Sequence, residues 1–326
     1  MNKQRLMIHI GVPKSATTSL QFGAFSQHPA ICYLGKPFYD EQFGYEGSLA
    51  TAELIDSLWK QDSLEFDDDL ARQRFGAGIR PRLAADKLAV LSEEGLSHAG
   101  ATDRGLIAER LAELCKDVDC CILLTVREQK QALFSMHQWY YVRIMLSHKF
   151  EDWIHWCRSY STYYGRQNDF PLREYSYTKL VETYIELFGK ERVLVLPMEM
   201  LAKKPVEFFS RLEDFAGISH YWSTPEYSGM MIENRSPGRL GIRYQRMIKG
   251  ARQLYAHLRG ESVTLSEAIE DTGIHGHIMS LISRVDSPMP PMSVETAAWI
   301  DDYYRADNEA LRDLTGLDLS DYGYRL

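Results

Sequence analysis

No Cys-x-x-Cys pair occurs in this chain, and its five cysteines, Cys32, Cys115, Cys120, Cys121 and Cys157, are odd in number. Neither a zinc knuckle nor a disulfide framework is indicated, and reduced, buried thiols are expected. Apolar runs of membrane-spanning length are missing, and Met1-Asn2-Lys3-Gln4-Arg5 leads into the first strand without a signal-type apolar region. This pattern predicts a cytoplasmic protein with no transmembrane segment. Positive charge is scarce as well: 37 Lys and Arg against 45 Asp and Glu leave a net charge of -8. A nucleic-acid partner, which calls for a basic face, is therefore not expected, and a highly sulfated polyanion is a poor acceptor for such a surface. There is no internal repeat or low-complexity tract. What remains is a chain of 326 residues, 45% apolar, long enough to bury a sizeable core.

The most informative stretch is Leu6-Met7-Ile8-His9-Ile10 followed by Gly11-Val12-Pro13-Lys14-Ser15-Ala16-Thr17-Thr18-Ser19-Leu20. An apolar strand runs into a Gly/Pro turn, and a lysine with several hydroxyls stands where a helix begins. Backbone N-H groups and the positive end of the helix dipole converge at such a place, which makes it a phosphate cradle. An ordinary Ser/Thr-rich helix cap explains the hydroxyls but not Lys14 beside them. The Walker register does not fit either. There the lysine directly precedes the magnesium-holding Ser/Thr with the loop's first glycine six residues before it, whereas Lys14 lies three after Gly11. A lysine displaced toward the strand end reaches the bridging oxygen of a 5'-phosphosulfate, while Ala16, Thr17, Thr18 and Ser19 take the 5'-phosphate.

A second segment points the same way. Cys120 to Val126 is a continuous apolar run suited to a strand buried on both faces, and Arg127 ends it. The helix expected over 128–146 carries Leu133, Met136, Tyr140 and Ile144 at helical spacing, with Ser135 between them. An arginine at a strand's carboxyl end and a serine two turns into the next helix close on one phosphate, the guanidinium fork giving paired charge-assisted bonds.

On these residues the chain resembles the sulfotransferases that use 3'-phosphoadenosine 5'-phosphosulfate (PAPS). Their loop reads Lys-Ser-Gly-Thr-Thr, here with Ala16 in the glycine position, and their 3'-phosphate motif is an Arg followed eight positions later by a Ser, here Arg127 and Ser135. The Pro-x-Glu-x-Leu passage ending at Leu201 and the Asp-Leu-Ser-x-Tyr-Gly-Tyr tail ending at Tyr324 look like bacterial members. The resemblance implies a P-loop-type three-layer α/β sandwich with a central parallel sheet, and PAPS as sulfuryl donor with no metal. It further implies that Lys14 and Ser15 through Ser19 lie at the 5' end and Arg127 and Ser135 at the 3' end. A late basic loop with Arg235 and Arg239 is its counterpart of the lid over the nucleotide. The residues themselves leave Glu93, Glu94 and His98 open as the base for an acceptor hydroxyl, and the family's Ser-x-Glu-Gly register selects Glu94. A nucleotide-dependent kinase and a non-catalytic nucleotide-binding protein are the alternatives.

The rest of the chain reads as alternating strand and helix. Strands are expected at 31–34, 88–91 and 192–196, and helices at 49–59, 68–74, 102–116, 177–188 and 205–216, the last two closed by Gly189 and Gly217. The loop at 35–48 is expected to carry acceptor contacts. A mostly helical subregion follows 218, with helices at 242–258, 265–285 and from a Ser293 cap to 314, and the whole chain is read as one domain. His9 is expected to be a hydrogen-bonded core histidine, His137 structural or near the acceptor entrance, and Glu199 the holder of a nearby helix N-terminus or the 5' loop. Of Trp139, Tyr140 and Tyr141, at least one is expected in the core.

Overall fold

The computed structural model describes residues 4–35, 49–83, 86–98, 103–143, 148–163, 170–224, 238–259, 273–287 and 291–326. The expected acceptor loop beyond residue 35, Arg235 and the 265–272 part of the expected helix at 265–285 lie outside these. Five strands form one sheet: β1 Arg5–His9, β2 Ile31–Tyr33, β3 Leu88–Ser92, β4 Asp119–Val126 and β5 Val193–Pro197. Their order is β2-β3-β1-β4-β5 and every pairing is parallel. The α/β class with a central parallel sheet is thus present. Burial accounts for the strand composition: β3 is buried along its whole length, and β4 from Ile122 to Val126. Strands covered on both faces need near-continuous apolar runs rather than alternation.

Helices cover the sheet. Arg104–Cys115 packs on Thr178–Phe188, which lies against β4 and β5, and Pro205–Ala216 lies against β5. Gly217 ends that last helix at φ 56, the left-handed conformation its C-cap position requires. The helix that begins after the loop is an α-turn, Thr17–Leu20, followed by a π-helical turn, Gln21–Phe25. The wider turn carries the buried Gln21 side chain onto the end of β3, where Nε2 donates to Ser92 O at 3.3 Å and reaches Ser92 Oγ at 3.0 Å.

The chain divides into two compact units, one of residues 1–132, 170–234 and 301–326, the other of 133–169 and 235–300. The first holds the entire sheet. The second is helical, with Phe150–Tyr163, a helix without a sequence expectation, beside Arg239–Arg259 and Gly273–Ser283. Inside it Tyr140 is core, Trp139 is exposed, and Arg246 stacks 3.7 Å from the Tyr141 ring. All five cysteines are free thiols, three of them buried. Among the described residues no helix is long and apolar enough to cross a membrane.

The order of the strands fixes where a ligand belongs. The chain leaves β1 toward β2 on one side and leaves β4 toward β5 on the other, so the connections diverge between β1 and β4. Ligands of open α/β sheets sit outside the carboxyl ends at such a switch point. Gly11 stands there because nothing larger fits: a Cβ would press on Thr125 Oγ1, 2.5 Å from His9 Nε2 and 3.0 Å from Thr17 Cγ2. Gly11→Ala should therefore destabilise the protein by about 2–3 kcal/mol through overpacking, read as a lowered denaturation midpoint at unchanged slope.

Candidate functional site

Three strand ends converge. At the end of β1 the chain passes through Gly11, Val12 and Pro13 into Lys14 at φ 70 and Ala16 at φ 66, the only non-glycine residues with positive φ among the described residues. Left-handed backbone at a lysine and an alanine costs about 1–2 kcal/mol per residue, and such strain gathers where function demands it. Ala16 stands where the resembling loops have glycine, and it adopts the conformation a glycine would take. The turn is tied to β4 and its flank: Ile10 N donates to Leu123 O at 3.0 Å, Val12 N to Thr125 O at 3.2 Å, and Tyr175 Oη to Pro13 O at 3.3 Å.

The hydroxyls of the loop divide. Ser15 is fully buried, its Oγ donating to Val12 O at 2.6 Å and pairing with Thr125 Oγ1 at 2.8 Å, so it fastens the turn from inside. Thr17 Oγ1 donates to the Glu94 carboxylate across the end of β3. Ser19 is buried, and Thr18 is half-buried on the first turn. Leu20 N closes the first turn on Ala16 O at 3.1 Å.

Glu93 and Glu94 part company after β3. Glu93 is buried and accepts from Gly95 N at 2.9 Å, capping the short turn Glu94–Ser97. Glu94 is half-buried and faces the loop through Thr17. His98, at the end of the same turn, pairs through Nδ1 with the fully buried Glu174 at 2.6 Å. His9 is a core histidine, as expected, linking Ser92 Oγ at 2.8 Å and Thr125 Oγ1 at 3.0 Å and so tying β1 to both neighbours.

Arg127 closes the other side. Its Nη1 donates to the carbonyl of Lys14 at 2.9 Å, and its Nε is buried with no partner among the described residues. Tyr177 holds the arginine backbone, donating from Oη to Arg127 O at 2.6 Å and accepting from Arg127 N at 3.3 Å. Glu199 Oε1 accepts from Glu128 N at 3.0 Å, just ahead of the helix Gln129–Arg143, the helix-holding use expected of it. Burial pushes the Glu199 carboxyl up to about 7. Ser135 is buried on that helix within the second unit. Arg239 is exposed at the start of Arg239–Arg259, also in the second unit. His137 is structural: buried, with Nε2 donating to His148 O at 2.9 Å, and its pKa is lowered by burial.

Sequence reasoning passed over Thr125, Tyr175, Tyr177 and Glu174. Only Thr125 left a local trace, a hydroxyl inside an otherwise apolar strand. The others come from a segment with no motif and reach the site through the fold alone.

No family model matches the chain, and no curated protein matches it. Among solved structures it is similar to a sulfotransferase from Alicyclobacillus acidocaldarius, at 15% identity and TM-score 0.48 over 79% of this chain and 96% of that one. It is also similar to a mouse sulfotransferase complexed with PAP, at 15% identity and TM-score 0.40 over 72% and 69% of the two chains. A third is the sulfotransferase domain from the curacin biosynthetic pathway, at 15% identity and TM-score 0.40 over 88% of this chain and 99% of that one.

Two outcomes follow from the site's construction. Ala16→Gly should raise stability by about 0.5 kcal/mol, the relief of left-handed strain exceeding the extra freedom glycine gains in the unfolded chain, measured by chemical denaturation. Glu199, whose folded pKa is raised above its ordinary 4.5 to about 7, stabilises the fold below pH 4.5 relative to higher pH. That contribution, about 3 kcal/mol, is lost as pH rises through 7, and Glu199→Gln should flatten the decline when unfolding is followed from pH 5 to 8.

Proposed function

We propose that this protein is a sulfotransferase that moves a sulfuryl group from PAPS to a hydroxyl of a saccharide or small hydroxylated acceptor. The observation that carries the reading is the left-handed Lys14-Ser15-Ala16 turn at the end of the central strand, with the Arg127 guanidinium bonded to its carbonyl and Glu94 bonded to its Thr17. A buried guanidinium Nε without a partner among the described residues suits an anion, so the residues present fit a phosphorylated nucleotide. PAPS, when bound, supplies an activated sulfuryl group and needs no metal to do so.

Each residue has a stated part. Lys14 offsets the negative charge that the bridging oxygen acquires as its bond to sulfur breaks. Backbone N-H groups from Ala16 to Ser19, with the Thr18 hydroxyl, hold the 5'-phosphate, and Ser15 braces them from within. Arg127 grips the 3'-phosphate. Glu94 takes the proton of the incoming hydroxyl on its carboxylate, and its bond with Thr17 Oγ1 ties that base to the phosphate cradle.

Adenosine 3',5'-bisphosphate at about 100 times its dissociation constant should stabilise the protein by about 2.7 kcal/mol in a thermal-shift measurement, and ATP with magnesium should not. In turnover with PAPS, Lys14→Ala and Glu94→Gln should each lose about a hundredfold or more, Glu94→Gln keeping its bisphosphate affinity. Stabilisation by ATP with magnesium alone would turn the assignment toward a kinase. Full turnover in Glu94→Gln would move the base elsewhere, to Glu93 or His98.

A further inference from the structure

In the second unit one helix departs from the charge balance of the chain. Arg239–Arg259 holds six Lys and Arg and no Asp or Glu, in a chain whose net charge is -8. Cations at a helix N-terminus oppose the macrodipole, so Arg239 and Arg243 do not serve helix stability. That end is held instead by Asp286, whose carboxylate accepts from Leu240 N at 2.7 Å and Gly241 N at 2.9 Å and is thereby committed to backbone. Gly241, Ile242 and Lys249 are buried and mark the inner face. Leu240, Arg243 and Met247 share the opposite face, within about 60° of one another around the helix. All three are exposed, Met247 to 63%. Arg239 N donates to Ser287 O at 2.9 Å, so the segment that follows Gly273–Ser283 meets the same end of the helix and carries exposed Arg284 and Val285 there, Val285 being 71% exposed. Leu281, on that second helix, is exposed as well. Arg239, Arg243 and Arg284 form no ion pair among the described residues.

We infer that this patch docks on an anionic membrane surface, its arginines meeting lipid phosphates and its apolar side chains entering the boundary between headgroups and acyl chains. The inference stands independently of the nucleotide reading. Guanidinium groups take phosphate through paired charge-assisted bonds, and basic helices bearing large apolar side chains lie in that boundary. Charge and apolarity together select the partner. A dissolved polyanion answers the arginines but leaves Leu240, Met247 and Val285 in water, while an uncharged bilayer leaves the arginines without a counter-charge. Protein interfaces concentrate Trp and Tyr at a centre depleted of charge. Here an arginine stands between Leu240 and Met247 with no aromatic in the stripe, which suits a fluid, phosphate-bearing surface better than a fixed complementary one.

The test is co-sedimentation of the whole protein with sucrose-loaded vesicles, made of phosphatidylcholine alone or of phosphatidylcholine and phosphatidylglycerol in equal parts. Binding is expected to the anionic vesicles only, and about 1 M salt, where the Debye length is about 3 Å, should release the protein. Arg243→Gln should weaken binding about fivefold and Met247→Gln about tenfold, both variants keeping the wild-type denaturation midpoint because the two side chains are exposed. Absence of binding to the anionic vesicles, or binding that neither substitution weakens, overturns the inference. Capture by immobilised dextran sulfate, lost in Arg243→Gln and untouched by Met247→Gln, together with vesicle binding of the same pattern, would make the patch a site for polyanions. Self-association in light scattering that Met247→Gln abolishes would make it a contact between copies of this chain. Either of these results overturns the membrane assignment.

Discussion

The turn that follows the central strand is held almost entirely by its neighbour β4. Ile10, Val12, Ser15 and Lys14 each find a partner on Leu123, Thr125 or Arg127, so the strained backbone at Lys14 and Ala16 leans on one rigid edge. Strained φ values persist only where surroundings over-determine them. Here the over-determination comes from parallel pairing: the register that sets His9 beside Leu123 also brings Thr125 level with the turn. The cradle and the guanidinium are thereby one construction, because the bond from Arg127 to the Lys14 carbonyl joins the residues assigned to opposite ends of one nucleotide.

Much of this was legible in residue order. Strands announced themselves as apolar runs because a sheet covered on both faces allows little else, and Gly189 and Gly217 marked helix ends where the structure has them. Lys14 and Arg127, both singled out in the sequence, stand beyond the ends of the neighbouring strands β1 and β4. The π-turn at Gln21 was not legible, since nothing in Gln-Phe-Gly-Ala-Phe distinguishes an α-turn from a wider one; the hydrogen bonds to Ser92 that accompany it come from a strand over 70 residues away. Tyr177 and Glu174 were invisible for the same reason. Their partners, Arg127 and His98, are fixed by tertiary packing and by no spacing rule.

The paired glutamates show how alike residues acquire unlike parts. Glu93 bends back onto the N-H of Gly95 and serves its own turn, while Glu94 reaches across to Thr17. Both lie beyond β3, Glu93 capping the short turn with its own side chain and Glu94 opening that turn, so the two carboxylates leave the backbone from different conformations. The charge pattern alone gave both the same standing.

The tail has a consequence for how the molecule comes to be made. The first unit is completed by residues 301–326, and within it Gln129 bonds Asn308, 179 positions later. A ribosome that has delivered all five strands has still not delivered Asp307, whose carboxylate accepts from the N-H of Tyr177, the residue that holds the Arg127 backbone. Contacts of such sequence separation form late and slowly. The sheet can assemble during synthesis, whereas the surroundings of Arg127 must wait for the final helix and the tail behind it, and a nascent chain cut short before them would carry a cradle without its finished counterpart.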